Sequence, residues 1–140
     1  MPKRLSEEAL RDLVESVVTD ADGILMEVIE YCILKPLVRG KDKPNRRFDT
    51  RCITNILRYY KLEDERVLDT LKESWDEILE AVDEGLETWE EGEPVGGVVE
   101  VAYELVDEAG VLETIREAVL KAYDRKHGTN LYEFYVKETE

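Results

Sequence analysis

VLDTLKESWDEILEAVDEGLETW, residues 67–89, decides the fold class of this chain. Val67, Leu68, Leu71, Trp75, Ile78, Leu79, Val82, Leu86 and Trp89 recur at steps of three and four, the period of a helix with one apolar seam. The opposite face is mostly acid, so one side faces a core and the other faces water. Trp75 and Trp89 fall on the seam and are expected in the core. The pattern breaks at EEGEP, residues 90–94.

The same period continues on both sides. Val98, Val101, Ala102, Leu105, Val106 and Ala109 predict a further helix ending at Gly110, and Leu112, Ile115, Ala118, Val119 and Ala122 another closed by Gly128. The tail TNLYEFYVKETE (129–140) reads as a short helix capped by Thr129 or as an extended docking segment. Upstream, Ser6 is a natural N-cap, with Glu7 and Glu8 in the first turn where the helix dipole favours acids. Leu10, Leu13, Val14, Val17 and Val18 follow, and Gly23 predicts a stop. Residues 24–38 (ILMEVIEYCILKPLV) are apolar nearly all round, which predicts a central buried helix that Pro36 should end or kink. The loop RGKDKPN (39–45) leads to Asp49, the expected cap of a helix over 50–61. Without repeats or low-complexity stretches, the chain reads as one compact all-α domain, residues 1–140, a helical bundle of five to seven helices.

At 140 residues with 43% hydrophobic content the chain has material for one core, able to bury roughly two-thirds of its unfolded surface. No apolar run approaches the roughly 18 residues a membrane span needs. The start MPKRLSEEAL has no signal-peptide pattern, so a cytoplasmic protein without membrane association is expected. In that compartment Cys32 and Cys52 read as reduced, buried thiols. A charged fraction of 38%, no Gln and only three Asn resemble hyperthermophile composition, in which ion-pair networks are common.

Charge is polarised along the chain. The formal net charge is −15, yet residues 35–61 hold nine of the nineteen basic residues against two acids, Asp42 and Asp49, while residues 62–117 hold twenty acids against three cations. Over 50–61, a 100° step places Arg51, Thr54, Asn55 and Arg58 on one side, and Cys52, Ile53, Ile56, Leu57 and Tyr60 on the other. With Arg39, Lys41, Lys43, Arg46 and Arg47 in the preceding loop, this basic arm (39–61) is the candidate interaction surface. It suits carboxylates of an acidic protein partner, or phosphates and base edges of nucleic acid, with Tyr59 placed to stack on a base. The alternative is that it folds back onto the chain's own acids or onto a symmetry mate, the latter giving self-association as a homodimer. Tyr132, Phe134 and Tyr135 form a second candidate: a partner-docking anchor if exposed, a lid on the bundle if folded back.

Catalytic patterns are sparse. His127, the single histidine, sits in DRKHG at a helix C-terminus, where a cation offsets the dipole. One His excludes paired Glu-x-x-His di-iron sites and HExxH zinc helices. Neither Cys belongs to a CxxC pair. Asp20-Ala-Asp22-Gly23 lacks the later ligands of a calcium loop and reads as a helix terminus. Glycines 96 and 97 precede no Lys-Ser/Thr, so no phosphate loop is present. No cofactor is expected.

One carboxylate pattern remains. Asp76-Glu77-Ile78-Leu79-Glu80, followed by Glu104-Leu105-Val106-Asp107, is similar to the EExxE…ExxD arrangement of MazG-like all-α nucleotide pyrophosphohydrolases, over nine positions. Asp76 stands where that pattern has its first Glu, and the second helix stops early, at Gly110. The resemblance implies magnesium held by Glu77, Glu80, Glu104 and Asp107, polarising a nucleoside triphosphate. The expected function is a small non-enzymatic interaction module or subunit acting through the basic surface over residues 39–58. Nucleic-acid binding by that surface is the alternative, and a MazG-like hydrolase the third reading.

Overall fold

Ser6 opens the first helix as expected, its hydroxyl oxygen accepting from the Ala9 N–H at 3.1 Å. That helix, α1 (Glu7–Glu27), does not stop at Gly23. It passes directly into a π-helical segment (Val28–Leu34) and then a last α-turn, α2 (Lys35–Val38). These are coordinates of a computed structural model, which describes residues 5–62, 64–108 and 110–139, and the side chains of all of these except Asp107 and Glu108. After α2 come α3 (Thr50–Tyr59), α4 (Glu65–Glu73), α5 (Trp75–Leu86), α6 (Gly96–Glu108), α7 (Val111–His127) and α8 (Leu131–Thr139). With α1 to α2 counted as one rod, the described residues form a single compact all-α bundle of seven helices without a β-strand. No helix among them is long and apolar enough to cross a membrane.

The stop expected at Gly23 is wrong for a packing reason. A β-carbon at Gly23 would run into the Tyr60 hydroxyl, and it would sit 3.2 Å from the ring carbon bearing it. This glycine admits a side chain from α3 to the flank of α1; it does not end a helix. Asp20 and Asp22, read as a helix terminus with it, are therefore mid-helix. Asp22 accepts from the Tyr103 hydroxyl (3.1 Å) and Arg116 Nη2 (3.3 Å), tying α1 to α6 and α7.

Pro36 does not break the rod where it stands. The register changes from π to α at Lys35, so Pro36 falls in the first turn of a new α segment, where a missing N–H costs least. Asn45 then ties the following loop to the rod: its N–H donates to Ile33 O (2.8 Å) and its side-chain amide to Cys32 O (2.9 Å). The expectation of a buried central helix holds, since Ile24, Leu25, Val28, Ile29, Ile33 and Leu34 have no exposed surface.

The helix read over 67–89 is two. Ser74 leaves helical dihedrals (φ −99°, ψ 8°), although the bonds Ser74 N–H to Thr70 O and Ile78 N–H to Ser74 O carry the periodicity across the break. The apolar seam therefore survives while the rod does not. The second part ends at Leu86, and Trp89, half-buried beyond it, donates from Nε1 to Glu93 O. Trp75 is buried as expected.

The core runs the length of the bundle. α1 packs along α7, α5 along α6, and α8 closes over α1 and α7. The tail is thus the helical alternative, with a different cap. Asp124, in the last turns of α7, accepts from the Leu131 N–H (2.7 Å), the Tyr132 N–H (2.9 Å) and the Thr129 hydroxyl (2.6 Å).

Candidate interaction surface

The site is built on a cross-link. Cys32 in the π segment and Cys52 in the first turn of α3 form a disulfide, with Cα atoms 5.9 Å apart. This corrects the expectation of reduced thiols: the spacing lies in the middle of the range a disulfide bridges. Local periodicity cannot reveal that two positions twenty residues apart meet. Asp49 caps α3 as expected, accepting from the Cys52 N–H at 3.0 Å.

Two adjoining open depressions lie on this face and share Tyr31, Lys35, Asp49 and Cys52. One, of about 440 Å³, runs along α3 past Arg51, Asn55 and Tyr59. The other, of about 400 Å³, runs under the loop past Arg39, Lys41 and Arg47. Tyr31 is 50% exposed and Tyr59 77% exposed, among the largest apolar surfaces the bundle leaves in water. Glu27 and Asp49 are the carboxylates lining them, and both are engaged. Asp49 caps α3, and Glu27 accepts from the Tyr60 hydroxyl, whose pKa burial and that hydrogen bond push up to about 12.

The basic residues singled out in the sequence divide into groups. Arg39, Lys41, Arg47, Arg51 and Asn55 line the two depressions, and all are exposed. Lys43 is exposed in the loop but lines neither. Arg46 is taken from within: its guanidinium grips Asp83 of α5 through two bonds, 2.7 and 3.0 Å. Its carbonyl accepts from Trp75 Nε1 (3.1 Å), and Phe48 packs edge-on against the Trp75 ring. Arg46 therefore anchors the loop and leaves the working surface. Arg58 is exposed on the other flank of α3, facing a different depression. Among the described residues Arg39, Lys41, Lys43, Arg47, Arg51 and Arg58 make no ion pair.

Sequence reasoning missed Tyr31 and did not place Lys35 in the site. The helix containing them read as apolar nearly all round, and nothing local marks which side α3 leaves uncovered. The tail aromatics take their folded-back alternative. All three are half-buried against the core; Tyr135 donates to Glu113 (2.6 Å), Arg11 lies over Phe134, and Lys121 lies over Tyr132.

Among the described residues no three His, Cys, Asp or Glu side chains come together to hold a metal ion. Glu77, Glu80 and Glu104 are exposed on α5 and α6; the side chain of Asp107, the fourth expected ligand, lies outside the described residues. His127 is exposed at the end of α7, its ring 4.2 Å from that of Tyr123. The chain matches no protein-family model, and neither the curated proteins nor the solved structures contain a significant match to it.

Proposed function

We propose that the protein is a non-enzymatic interaction module that receives an acidic segment of a partner protein across the two depressions around Cys32–Cys52. One observation carries this reading. In a chain with 34 acids, Lys35, Arg39, Lys41, Arg47 and Arg51 gather on one face, and among the described residues none of them is ion-paired to a carboxylate. Unpaired cations of this kind attract and orient an acidic partner. Exposed Tyr31 and Tyr59 beside them supply the rigid aromatic contacts that dominate interface energies. A second copy of the chain is one such partner, because α5 turns Asp76, Glu77, Glu80 and Glu84 to water.

A second reading has its own support. Tyr59 beside Arg51 and Asn55 is the combination on which a single-stranded base stacks while its phosphate is neutralised. The short reach of the basic face favours the acidic peptide, since a longer strand would run onto the acidic surface and be repelled. The cytoplasm is the proposed location. A disulfide there fits the hyperthermophile-like composition, because intracellular proteins of such organisms are often disulfide-bonded.

Fluorescence anisotropy decides between them, with a labelled glutamate-rich peptide and labelled single-stranded DNA and RNA, each at low and high salt. The module reading expects the peptide to bind at low salt, weaken with salt, and weaken further on Arg47→Ala with Arg51→Ala. Tighter binding of an oligonucleotide that Tyr59→Ala abolishes would hand the surface to nucleic acid. No binding of any probe, with light scattering showing a monomer at low salt, removes the surface altogether.

A further inference from the structure

The other flank of α3 carries a feature that the sequence scattered over three places. A depression of about 570 Å³ lies between the C-terminal ends of α3 and α7, lined by Arg58, Lys61, Leu62, Ala122, Arg125 and Lys126. Four of those six are cations and none is an acid, in a chain of net charge −15.

Cations in the last turn of α7 complement its dipole, which accounts for Arg125, Lys126 and His127 by themselves. The α3 dipole accounts in the same way for Arg58 in its own last turn, but neither dipole accounts for Lys61 or for both sets converging on one hollow. Lys61 is odd in a second way. α3 ends in a Schellman turn: Leu62 N–H donates to Leu57 O (2.9 Å), Lys61 N–H donates to Arg58 O (2.9 Å), and Leu57 and Leu62 are both buried. The left-handed residue of that turn is usually glycine; here it is Lys61, at φ 57°, the one non-glycine with positive φ among the described residues. A side chain kept where glycine would fit more easily points to a use for it.

Among the described residues three carboxylates stand at the margins, of which Glu65 lines, with Asp64, the adjoining depression that shares Arg58 and Leu62. Asp64 is largely buried and held by Arg66 (3.3 Å) and Arg125 (3.5 Å). Burial raises its pKa, but the Arg66 N–H and guanidinium and the charge of Arg125 outweigh that and keep it below the ordinary value. Asp20 lines the smaller adjoining cavity with Tyr60, Tyr123 and His127. Among the described residues Arg58, Lys61 and Lys126 make no ion pair, and Arg125 pairs with Asp64.

We propose that this depression is a binding site for clustered phosphoryl groups, either a free polyphosphate or nucleotide or the backbone of a nucleic-acid strand. Four cations from two helix ends match several adjacent phosphate charges, and Arg guanidinium can take two oxygens of one phosphate. The site is separate from the disulfide face and does not rest on the function proposed for it.

The test is a titration followed by amide NMR shifts, with tripolyphosphate and with a short mixed-sequence oligonucleotide as probes, at low salt. Saturable shifts at Lys61, Leu62, Arg125 and Lys126 are expected. Affinity should fall about tenfold or more in Arg125→Ala with Lys126→Ala, the loss of two charge-assisted contacts, and stay unchanged in Arg51→Ala. Lys61→Gly should weaken binding while raising the melting temperature, a pair of opposite effects that a purely structural lysine would not produce. The stronger probe at equal phosphate concentration identifies the source. The proposal falls if neither probe gives saturable shifts, or if the shifts survive the double variant. Loss of peptide binding in Arg47→Ala with Arg51→Ala leaves it untouched.

Discussion

Tyr60 is read in the sequence as one more apolar-face position of α3, and the structure gives it two neighbours that explain more. Its hydroxyl reaches Glu27, its ring lies against Gly23, and burial with that hydrogen bond raises its pKa to about 12; burial and Glu113 do the same for Tyr135. In the unfolded chain both phenols lose their protons near the ordinary value of about 10, while the folded chain holds them longer. Their contribution to stability is complete below pH 10 and disappears as pH rises through 12. Ultraviolet phenolate titration should therefore show late-ionising steps from Tyr60 and Tyr135, and Tyr60→Phe should remove one of them. Gly23 gives a second expectation at this scale. Replacing a mid-helix glycine by alanine ordinarily gains roughly 1 kcal/mol, but here the methyl displaces Tyr60 from Glu27. Gly23→Ala should stabilise a Tyr60→Phe background more than the native one, measured by denaturant unfolding as a double-mutant cycle.

Among the elements, those whose ends are set by neighbouring residues were legible. Ser6 and Asp49 cap α1 and α3 through backbone N–H groups three residues on, and Gly128 (φ 65°) ends α7, as their positions in the sequence predict. Elements whose limits depend on distant residues were not. α8 is capped by Asp124, seven and eight residues before the N–H groups it accepts, so Thr129 looked like the cap. Asp124→Ala should cost about 1–2 kcal/mol, the loss of an N-cap. Chemical denaturation would measure it, with α8 amides losing hydrogen-exchange protection before those of α1. The division at Ser74 was hidden because the hydrophobic period continues through it. The π segment was hidden for a similar reason, since a buried stretch apolar on all sides carries no register.

For the whole molecule, the disulfide joins the central rod to the basic helix across a separation of twenty residues. Closing a loop of that length contributes about 3 kcal/mol by restricting the unfolded chain. Reduction, or Cys32→Ser with Cys52→Ser, should lower the unfolding midpoint accordingly, and an unchanged midpoint would show the cross-link to be energetically idle. The charge map was legible in outline: a basic arm in an acidic chain. Its function-bearing parts were not, because folding sorted the arm. Arg46 paired with Asp83 at the surface, Arg39, Lys41, Arg47 and Arg51 gathered around the disulfide, and Arg58 joined Lys61, Arg125 and Lys126 on the opposite flank.

By itself the sequence determined the all-α class, the apolar seams, the local caps and the polarity of charge, because each is set by residues within one or two helical turns. Which cysteines meet, which glycine admits a ring, and which cations share a hollow were decided only by the tertiary structure. Those relations join positions separated by roughly twenty residues or more, and no short-range period records them.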